Sequence, residues 1–456
     1  MKRGLLTAIA NQFLFIGVWL LLPILVEVIP IFAVYVKLSF KIVINWLKRH
    51  FHRRSQLTNQ AFLPMIDVVI PVYNSADTLA QCVTSVITGT YPLEKIMITL
   101  VNNESTDQSF QIFQKLQHEF PTARINWLEA AQGKSNALNM ALYNTSNKYF
   151  VHIDSDGLLD ENALLNMVQQ FEAEPQTVAL TGIILTQISQ IAQSWRLRLL
   201  QLLEYHEYAA AFLVGRNAEA GANNMFTMSG AFSGFRRAQL ADTFMFSSET
   251  VGEDTHMTFQ MRAKGQVKLA RNAIFYVEPI TDFNTLYRQR QRWQIGEMEV
   301  VHIFEKQAML SMRHLLSNFM IRRLLVDHTF LFPRLIWFFA PLVLVAKGFS
   351  WQMLGLIYLA MYGLYVFVSG LFFLLAQVYL KPFRPAYRMY VKTWYITLLM
   401  PAYKFVLSWV LLFALLNRPT ERKWQGRGLS EELAKFRQMV AADARKLRAT
   451  LKREKS

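Results

Sequence analysis

Asp154 and Asp156 stand one residue apart at the end of Tyr149-Phe150-Val151-His152-Ile153, a run rich in aromatic and β-branched residues that reads as a buried strand. Alternate positions in an extended chain point the same way, so both carboxylates can face one site. Two hard oxygen ligands at a strand's C-terminal end suit Mg2+ or Mn2+ carrying a substrate diphosphate. The same acids, followed by Gly157 and by Asp160-Glu161-Asn162 at an expected helix start, also read as a turn that caps the next helix. The tripeptide alone leaves both readings open.

Other stretches carry chemistry of their own. Gly133-Lys134-Ser135 opens a helical pattern, where a lysine can approach a phosphate. The position five before Gly133 is Leu128, so the phosphate-cradling GxxxxGK[ST] pattern fails. Small residues in Met228–Arg237 would let backbone approach a ligand closely. Glu253 and Asp254 follow Gly252 at the start of a helical pattern running through Thr255–Lys264, where the dipole favours acids and capping alone would account for Glu253. Gln289-Arg290-Gln291-Arg292-Trp293 lies on a helical pattern just before a second apolar region. His206, among aromatic residues, reads as a packed histidine, and Cys82, the single cysteine, as core packing in a reducing compartment.

The elements that must position these residues alternate. Ile66–Val72, Met97–Val101, Ile125–Leu128, Tyr149–Ile153 and Val178–Leu185 read as strands, with helical patterns between them. This is the βαβ pattern of an α/β fold on a mostly parallel sheet. In such sheets ligands bind beyond the C-terminal strand ends. The turns at Tyr73-Asn74, Asn102-Asn103, Gly133-Lys134 and Asp154–Asp156 all follow strands and would converge there.

At 456 residues and 53% hydrophobic, the chain is too apolar for an ordinary soluble protein. Gly4–Val36, Thr329–Val345, Trp351–Tyr379 and Tyr390–Leu416 reach or approach the ~20 residues that cross a bilayer as a helix. Phe40–Arg54 reads as an amphipathic interfacial helix. Of the net charge of +16, residues 1–55 hold eight Lys/Arg against Glu27, and the tail from Arg418 holds twelve against five acids. Basic residues beside membrane spans read as flanks touching anionic lipid, not as a nucleic-acid surface. The expected organisation is an N-terminal membrane segment with its interfacial helix (1–58), a cytosolic catalytic domain (59–308), an interfacial helix with about three spans (309–418) and a basic tail (419–456). The Asn103-Glu104-Ser105 and Asn144-Thr145-Ser146 sequons would then be chance matches.

Taken in order, Pro71-Val72-Tyr73-Asn74, Gly133-Lys134-Ser135-Asn136-Ala137-Leu138-Asn139, Asp154-Ser155-Asp156, Ser229-Gly230-Ala231-Phe232, Glu253-Asp254 and Gln289-x-x-Arg292-Trp293 resemble the motifs of family 2 glycosyltransferases. The likeness is to the membrane-embedded processive type that includes poly-N-acetylglucosamine, hyaluronan, cellulose and chitin synthases. That resemblance implies a GT-A, Rossmann-like catalytic domain combined with N- and C-terminal transmembrane helices. It implies a nucleotide-sugar donor, expected to be a UDP-sugar, and Mg2+ or Mn2+ as cofactor. Pro71, Tyr73, Asn74, Asn102, Asn103, Lys134 and Asp154 would bind the donor, Asp156 the metal, and Asp254 would be the general base. Ser229, Gly230, Glu253, Gln289, Arg292 and Trp293 would hold the diphosphate and the acceptor. The expected activity is inverting transfer to a growing polysaccharide, coupled to export, by a multi-pass protein of the cell membrane with its catalytic domain in the cytoplasm. Single-sugar transfer to a lipid, or a non-catalytic role in an export assembly, is the alternative. The acceptor would be a glycan or lipid-linked; the partners are the bilayer and no nucleic acid, with room for an accessory membrane subunit.

This sequence departs from the family pattern at two places. Asn102 and Asn103 stand where aspartate is usual, which changes the donor–acceptor pattern offered to a base. Gly252 stands where threonine is usual, and is expected to loosen the backbone before Asp254. Three spans after Trp293 would place the basic tail outside, against the positive-inside tendency.

Overall fold

Ile66–Val72 (β1) reads Ile-Asp-Val-Val-Ile-Pro-Val, and all seven residues are buried. A strand this apolar needs cover on both faces. Its alternation divides the residues accordingly: Val68, Ile70 and Val72 enter one core and Val69 the other. The computed structural model describes residues 15–21, 23–51, 63–221, 224–304, 331–348 and 350–417.

Helix α1 (Ile29–Phe51) precedes β1. On one side of β1 lie β2 (Ile96–Asn102) and then β3 (Arg124–Glu129); on the other lies β4 (Tyr149–Ile153), all in parallel pairings. The crossovers are α2 (Leu79–Ile87), α3 (Ser109–Glu119) and α4 (Lys134–Asn144). After β4 come β5 (Gly157–Leu159), α5 (Ala163–Ala173) and β6 (Thr177–Thr186). Helix α6 (Trp195–Tyr208) continues through a π-helical stretch, Ala209–Gly215, into α7 (Arg216–Gly221). Next are β7 (Phe232–Arg236), α8 (Arg237–Ala241), α9 (Glu253–Lys264), β8 (Gln266–Val277) and α10 (Phe283–Phe304). The sheet order is β3-β2-β1-β4-β7-β6-β8-β5. Four pairings are parallel; β7 runs antiparallel to β4 and β6, and β5 antiparallel to β8. The expected α/β, mostly parallel sheet is therefore present, with β7 wedged into its middle.

Two local expectations differ. Gly157 does not turn the chain into a helix; it begins β5 against β8, where an added Cβ would lie 2.4 Å from the Phe275 ring. The helix after the acidic turn starts at Ala163, not at Asp160.

Helices α11 (Leu331–Ala346), α12 (Trp351–Leu380), α13 (Arg384–Lys392) and α14 (Ile396–Asn417) complete the described chain. Among the described residues, Trp351–Leu380 and Ile396–Phe413 are long and apolar enough to cross a membrane. One face of the sheet is not closed by the first 300 residues alone. Ala179, Ile183, Tyr205, Val214 and Ile274 share a core with Leu375, Ala376, Leu380 and Tyr390. Most of the Gly4–Val36 block's first half, the linker after Phe51, the interfacial helix expected after residue 308 and the basic tail lie outside the described residues.

Candidate active site

The turns after β1, β2 and β4 are tied to one another at the strand ends. Asn74 takes the left-handed backbone (φ 49°) that asparagine tolerates better than most residues. Its side-chain Oδ1 accepts the Thr106 N–H at 2.8 Å, and its own N–H donates to Ser105 Oγ at 3.1 Å. The Ser75 and Ser155 hydroxyls meet at 2.7 Å, which joins the first turn to the middle residue of the Asp-Ser-Asp tripeptide. Tyr73 presents a half-exposed ring beside them, whereas Pro71 is buried within β1 opposite Val101 and supports the turn from behind.

Asn102 and Asn103 are already engaged by the protein. Asn102 Nδ2 donates to Glu129 Oε2 at 2.6 Å while its Oδ1 accepts the Ser105 N–H at 3.0 Å. Asn103 Oδ1 accepts the Gly133 N–H at 2.6 Å, so it braces the turn that carries Lys134. Gly133 sits at φ 123°, a backbone region that favours glycine. The other Glu129 oxygen accepts from Trp127 Nε1 at 2.7 Å. Glu129 has no motif around it, and only its place at the end of a strand could have drawn attention to it.

Lys134 is the hub. Its ammonium pairs with Asp154, donates to the Gly230 carbonyl at 2.8 Å and lies 3.9 Å from Glu253 Oε1. Burial works against its charge, but Asp154 and Glu253 outweigh it and hold its pKa above the ordinary value. The Gly230 peptide extends the cluster, because its N–H donates to Asp254 Oδ2 at 3.1 Å and its carbonyl also meets His152 Nε2 at 3.0 Å. Burial pushes His152 down to about 4, so the ring is neutral at ordinary pH. A side chain at position 230 would run into the acids, since an added Cβ would lie 3.2 Å from Asp254 Oδ2. Ser229 is buried; its Oγ accepts the Ala231 N–H at 3.2 Å and its carbonyl accepts from Ser233 Oγ at 2.8 Å, which fixes the approach to Gly230. Burial and then the neighbouring Asp254 push Glu253 up, while Lys134 and Arg292 pull the other way.

Asp156 reaches the surface at the edge of this cluster. The surrounding protein, and next Asp154, push its carboxyl up to about 6, with Glu278 adding to the same effect. Two acids this close are short of positive charge on one side. Among the described residues no group of three His, Cys, Asp or Glu converges to hold a metal by itself. The carboxylate oxygens of Asp154 and Asp156 are of the hard type that suits a divalent ion, which would need further oxygen ligands, such as those of a bound diphosphate.

Glu253 and Asp254 begin α9, and Gln289, Arg292 and Trp293 lie on α10. Arg292 is exposed on the side that faces Lys134 and Glu253, whose charges it influences. Trp293 packs edge-on to Phe212, with ring centroids 5.8 Å apart. The expectation that Gly252 loosens this region is corrected. Gly252 touches Gly296 of α10 backbone to backbone, and a Cβ on it would lie 2.9 Å from the Gly296 carbonyl carbon and oxygen. Glycine here permits a tight approach of α9 to α10. The structure thus brings together Lys134, Asp154, Asp156, Gly230, Glu253, Asp254 and Arg292, while Asn102 and Asn103 act from behind.

Residues 67–244 match the model of the glycosyl transferase family 2. The chain is 26% identical over 243 residues to the poly-beta-1,6-N-acetyl-D-glucosamine synthase of Staphylococcus epidermidis, which is 52% of this chain and 55% of that one. It is 24% identical over 241 residues to the synthase of the same name from Staphylococcus aureus strain MSSA476, with the same coverage. The match thus spans about half the length of these curated relatives. Among solved structures, a mannosyltransferase from Pyrobaculum calidifontis in complex with GDP-Man and Mn2+ aligns at a TM-score of 0.49 and 15% identity, over 86% of this chain and all of that one. S. aureus TarS 1-349 in complex with UDP-GlcNAc aligns at 0.39 and 13% identity, over 75% and 91%. Both scores are below 0.5. The family match covers β1 to the loop after α8, including Lys134, Asp154, Asp156 and Gly230. The likeness to the glycosyl transferase family 2 therefore extends over residues 67–244 of this chain.

Proposed function

We propose that this chain is a membrane glycosyltransferase that moves a sugar from a nucleotide-sugar donor to a growing polysaccharide, with inversion at the anomeric carbon. The observation that carries the reading is the Lys134 cluster. One ammonium lies between the acid after β4 and the acid pair of α9, and the Gly230 peptide links it to Asp254.

Each group has a task in such a transfer. Loss of a nucleoside diphosphate builds negative charge on the leaving group. Lys134 and Arg292 supply cationic donors for it, and a divalent ion held through Asp156 would neutralise it further. Asp154 positions Lys134 and the sugar nucleotide. Asp254 accepts the proton of the attacking hydroxyl, its Oδ2 being held by the Gly230 N–H. One base and direct attack give inversion, so an α-linked donor yields a β-linked product. Trp293 offers a flat apolar face for a sugar ring, and Gln289 a neighbouring amide. Tyr73, half-exposed after β1, offers a ring on which the nucleotide base would stack.

In this reading the donor is a UDP-sugar whose base is approached by the half-exposed ring of Tyr73, with Asn74, Asn102 and Asn103 shaping the turns around it. The similarity to two poly-N-acetylglucosamine synthases favours an N-acetylated donor and a polymer product. The two apolar helices, with the block before β1, support a multi-pass protein; a catalytic domain on the cytoplasmic side and export through its own spans complete the proposed reading.

The test is to incubate the purified protein in lipid vesicles with a panel of nucleotide sugars and Mg2+ or Mn2+. Nucleotide release and product size are measured together. Metal-dependent release with a product of many sugars is expected. A glycolipid bearing one sugar as the sole product would overturn the polymer reading, and no release from any donor would overturn the enzyme reading.

A further inference from the structure

Arg290 is 5% exposed and sits between the two residues of α10 assigned to the acceptor, yet nothing in the proposed chemistry uses it. Its guanidinium is surrounded by specific partners. One terminal nitrogen donates to Gln289 Oε1 at 2.7 Å and the other to Glu207 Oε2 at 2.6 Å. The flat group lies 4.2 Å from the centroid of the Trp293 ring and 5.5 Å from that of Tyr208. The Glu207 oxygen that takes Arg290 also accepts the Tyr403 hydroxyl at 2.8 Å. Tyr403 is buried on α14, one of the two helices apolar enough to cross a membrane. Three elements far apart in sequence, α6, α10 and α14, therefore meet in one network of charge and hydroxyl.

A buried ion pair is weak as a source of stability, because removing both charges from water offsets most of their attraction. Its value lies in fixing geometry. A guanidinium does this better than an ammonium, since its planar fork holds two acceptors in set directions and its face stacks on an indole. In this network the fork fixes the Gln289 amide, and the stacked face fixes the plane of Trp293.

We propose that Tyr403, Glu207 and Arg290 form a positioning relay, by which the apolar helix α14 sets the orientation of Gln289 and Trp293 at the acceptor side of the site. The inference rests on the reading that these two residues hold the acceptor. Arg290, Glu207 and Tyr403 are positioning residues and touch no reacting atom. A displacement of α14 moves the Tyr403 hydroxyl, and with it the oxygen on which Arg290 is anchored.

The test uses the full chain in vesicles, labelled with fluorotryptophan and observed by 19F NMR. The chain has ten tryptophans, and the Trp293 signal is identified by its loss in Trp293→Phe. Tyr403→Phe removes one hydroxyl, and Arg290→Lys keeps the charge but loses the fork. Both are expected to shift the Trp293 signal while most of the other nine stay in place. In turnover, kcat should fall roughly ten- to a hundredfold for such a misplacement while the KM for the nucleotide sugar changes little. The double variant should be no worse than Arg290→Lys alone. An unmoved Trp293 signal in Tyr403→Phe overturns the relay whether or not the enzyme turns over, since Arg290 touches the ring directly and its replacement alone moves the signal. A wild-type protein that releases no nucleotide overturns the activity reading instead. Additive losses in the double variant also overturn the relay, since they would place the two residues in separate networks.

Discussion

Replacing Gly252 by alanine tests whether the acid pair and the Gln-x-x-Arg-Trp helix are held at a fixed separation. An ideal Cβ at this position lies 2.9 Å from the carbonyl carbon and oxygen of Gly296 and 3.0 Å from its Cα. All three are backbone atoms, so no side chain can swing aside. Ordinary contact begins near 3.4 Å, and α9 and α10 must separate locally by about 0.5 Å or more to accept one methyl group, an overpacking of the kind that costs about 1–3 kcal/mol. The turn cannot simply rotate away, because the Val251 N–H is held by Glu299 Oε2 of α10 at 3.1 Å. A displacement of roughly half the 1 Å that can cost about a hundredfold predicts a loss on the order of tenfold in kcat. The assay is nucleotide release per folded molecule, with the thermal midpoint measured in the same vesicles. Gly355→Ala on α12 is the control, since a Cβ there meets nothing within 4 Å. Wild-type kcat together with an unchanged midpoint in Gly252→Ala would refute the close-approach reasoning. Gly296→Ala, whose Cβ would lie 2.8 Å from Gly252 Cα, must behave alike.

Other expectations follow from the same geometry. Asp254→Asn retains one acceptor for the two backbone N–H groups of Gly230 and Thr255 and removes the proton acceptor, so transfer should fall by about 10²–10⁴ with donor binding by calorimetry nearly unchanged; normal turnover would remove Asp254 as the base. Asp156→Ala should raise the Mg2+ or Mn2+ concentration needed for half-maximal donor binding, and an unchanged metal titration would reassign the metal ligand. His206 is buried against Tyr390, with ring centroids 4.4 Å apart, and burial pushes its pKa down to about 3. The unfolded chain then binds a proton that the folded chain refuses, so stability falls as pH drops below about 6.5, by up to about 1.4 kcal/mol per unit. Thermal midpoints from pH 7 to 4.5 should therefore fall less in His206→Phe than in wild type, and parallel curves would count against the buried neutral histidine.

The parallel half of the sheet was legible because its strands are nearly continuous apolar runs bounded by turn residues. Tyr149–Ile153 followed by two acids could be placed at a strand end from residue types alone. In the other half β6 was legible as Val178–Leu185, but β7 and β8 were not. Phe232-Ser-Gly-Phe-Arg looks like a loop of small residues, and only its insertion between β4 and β6 makes it a strand. Gln266–Val277 carries Lys268 and Arg271, whose charges hide the alternation until Glu174 is seen to pair with both. For the site, residue chemistry pointed to Lys134, Asp154 and Asp156, and the resemblance added Asp254 and Arg292. It could not reveal that Asn103 braces Gly133, or that Gly252 meets Gly296, because both contacts depend on distances between elements remote in sequence.

The core that joins Ile183, Tyr205 and Ile274 to Leu375, Ala376 and Tyr390 has a consequence for how the protein is made. The strands of the sheet leave the ribosome well before the helices that close one of its faces. At about 5–20 residues per second, the roughly one hundred residues between Ile274 and Leu375 take on the order of 5–20 s to synthesise. During that interval the apolar surface that Leu375, Ala376 and Tyr390 cover on the sheet has no cover from them. Arrival of α12 and α13 and completion of that core are then one event in the life of the chain.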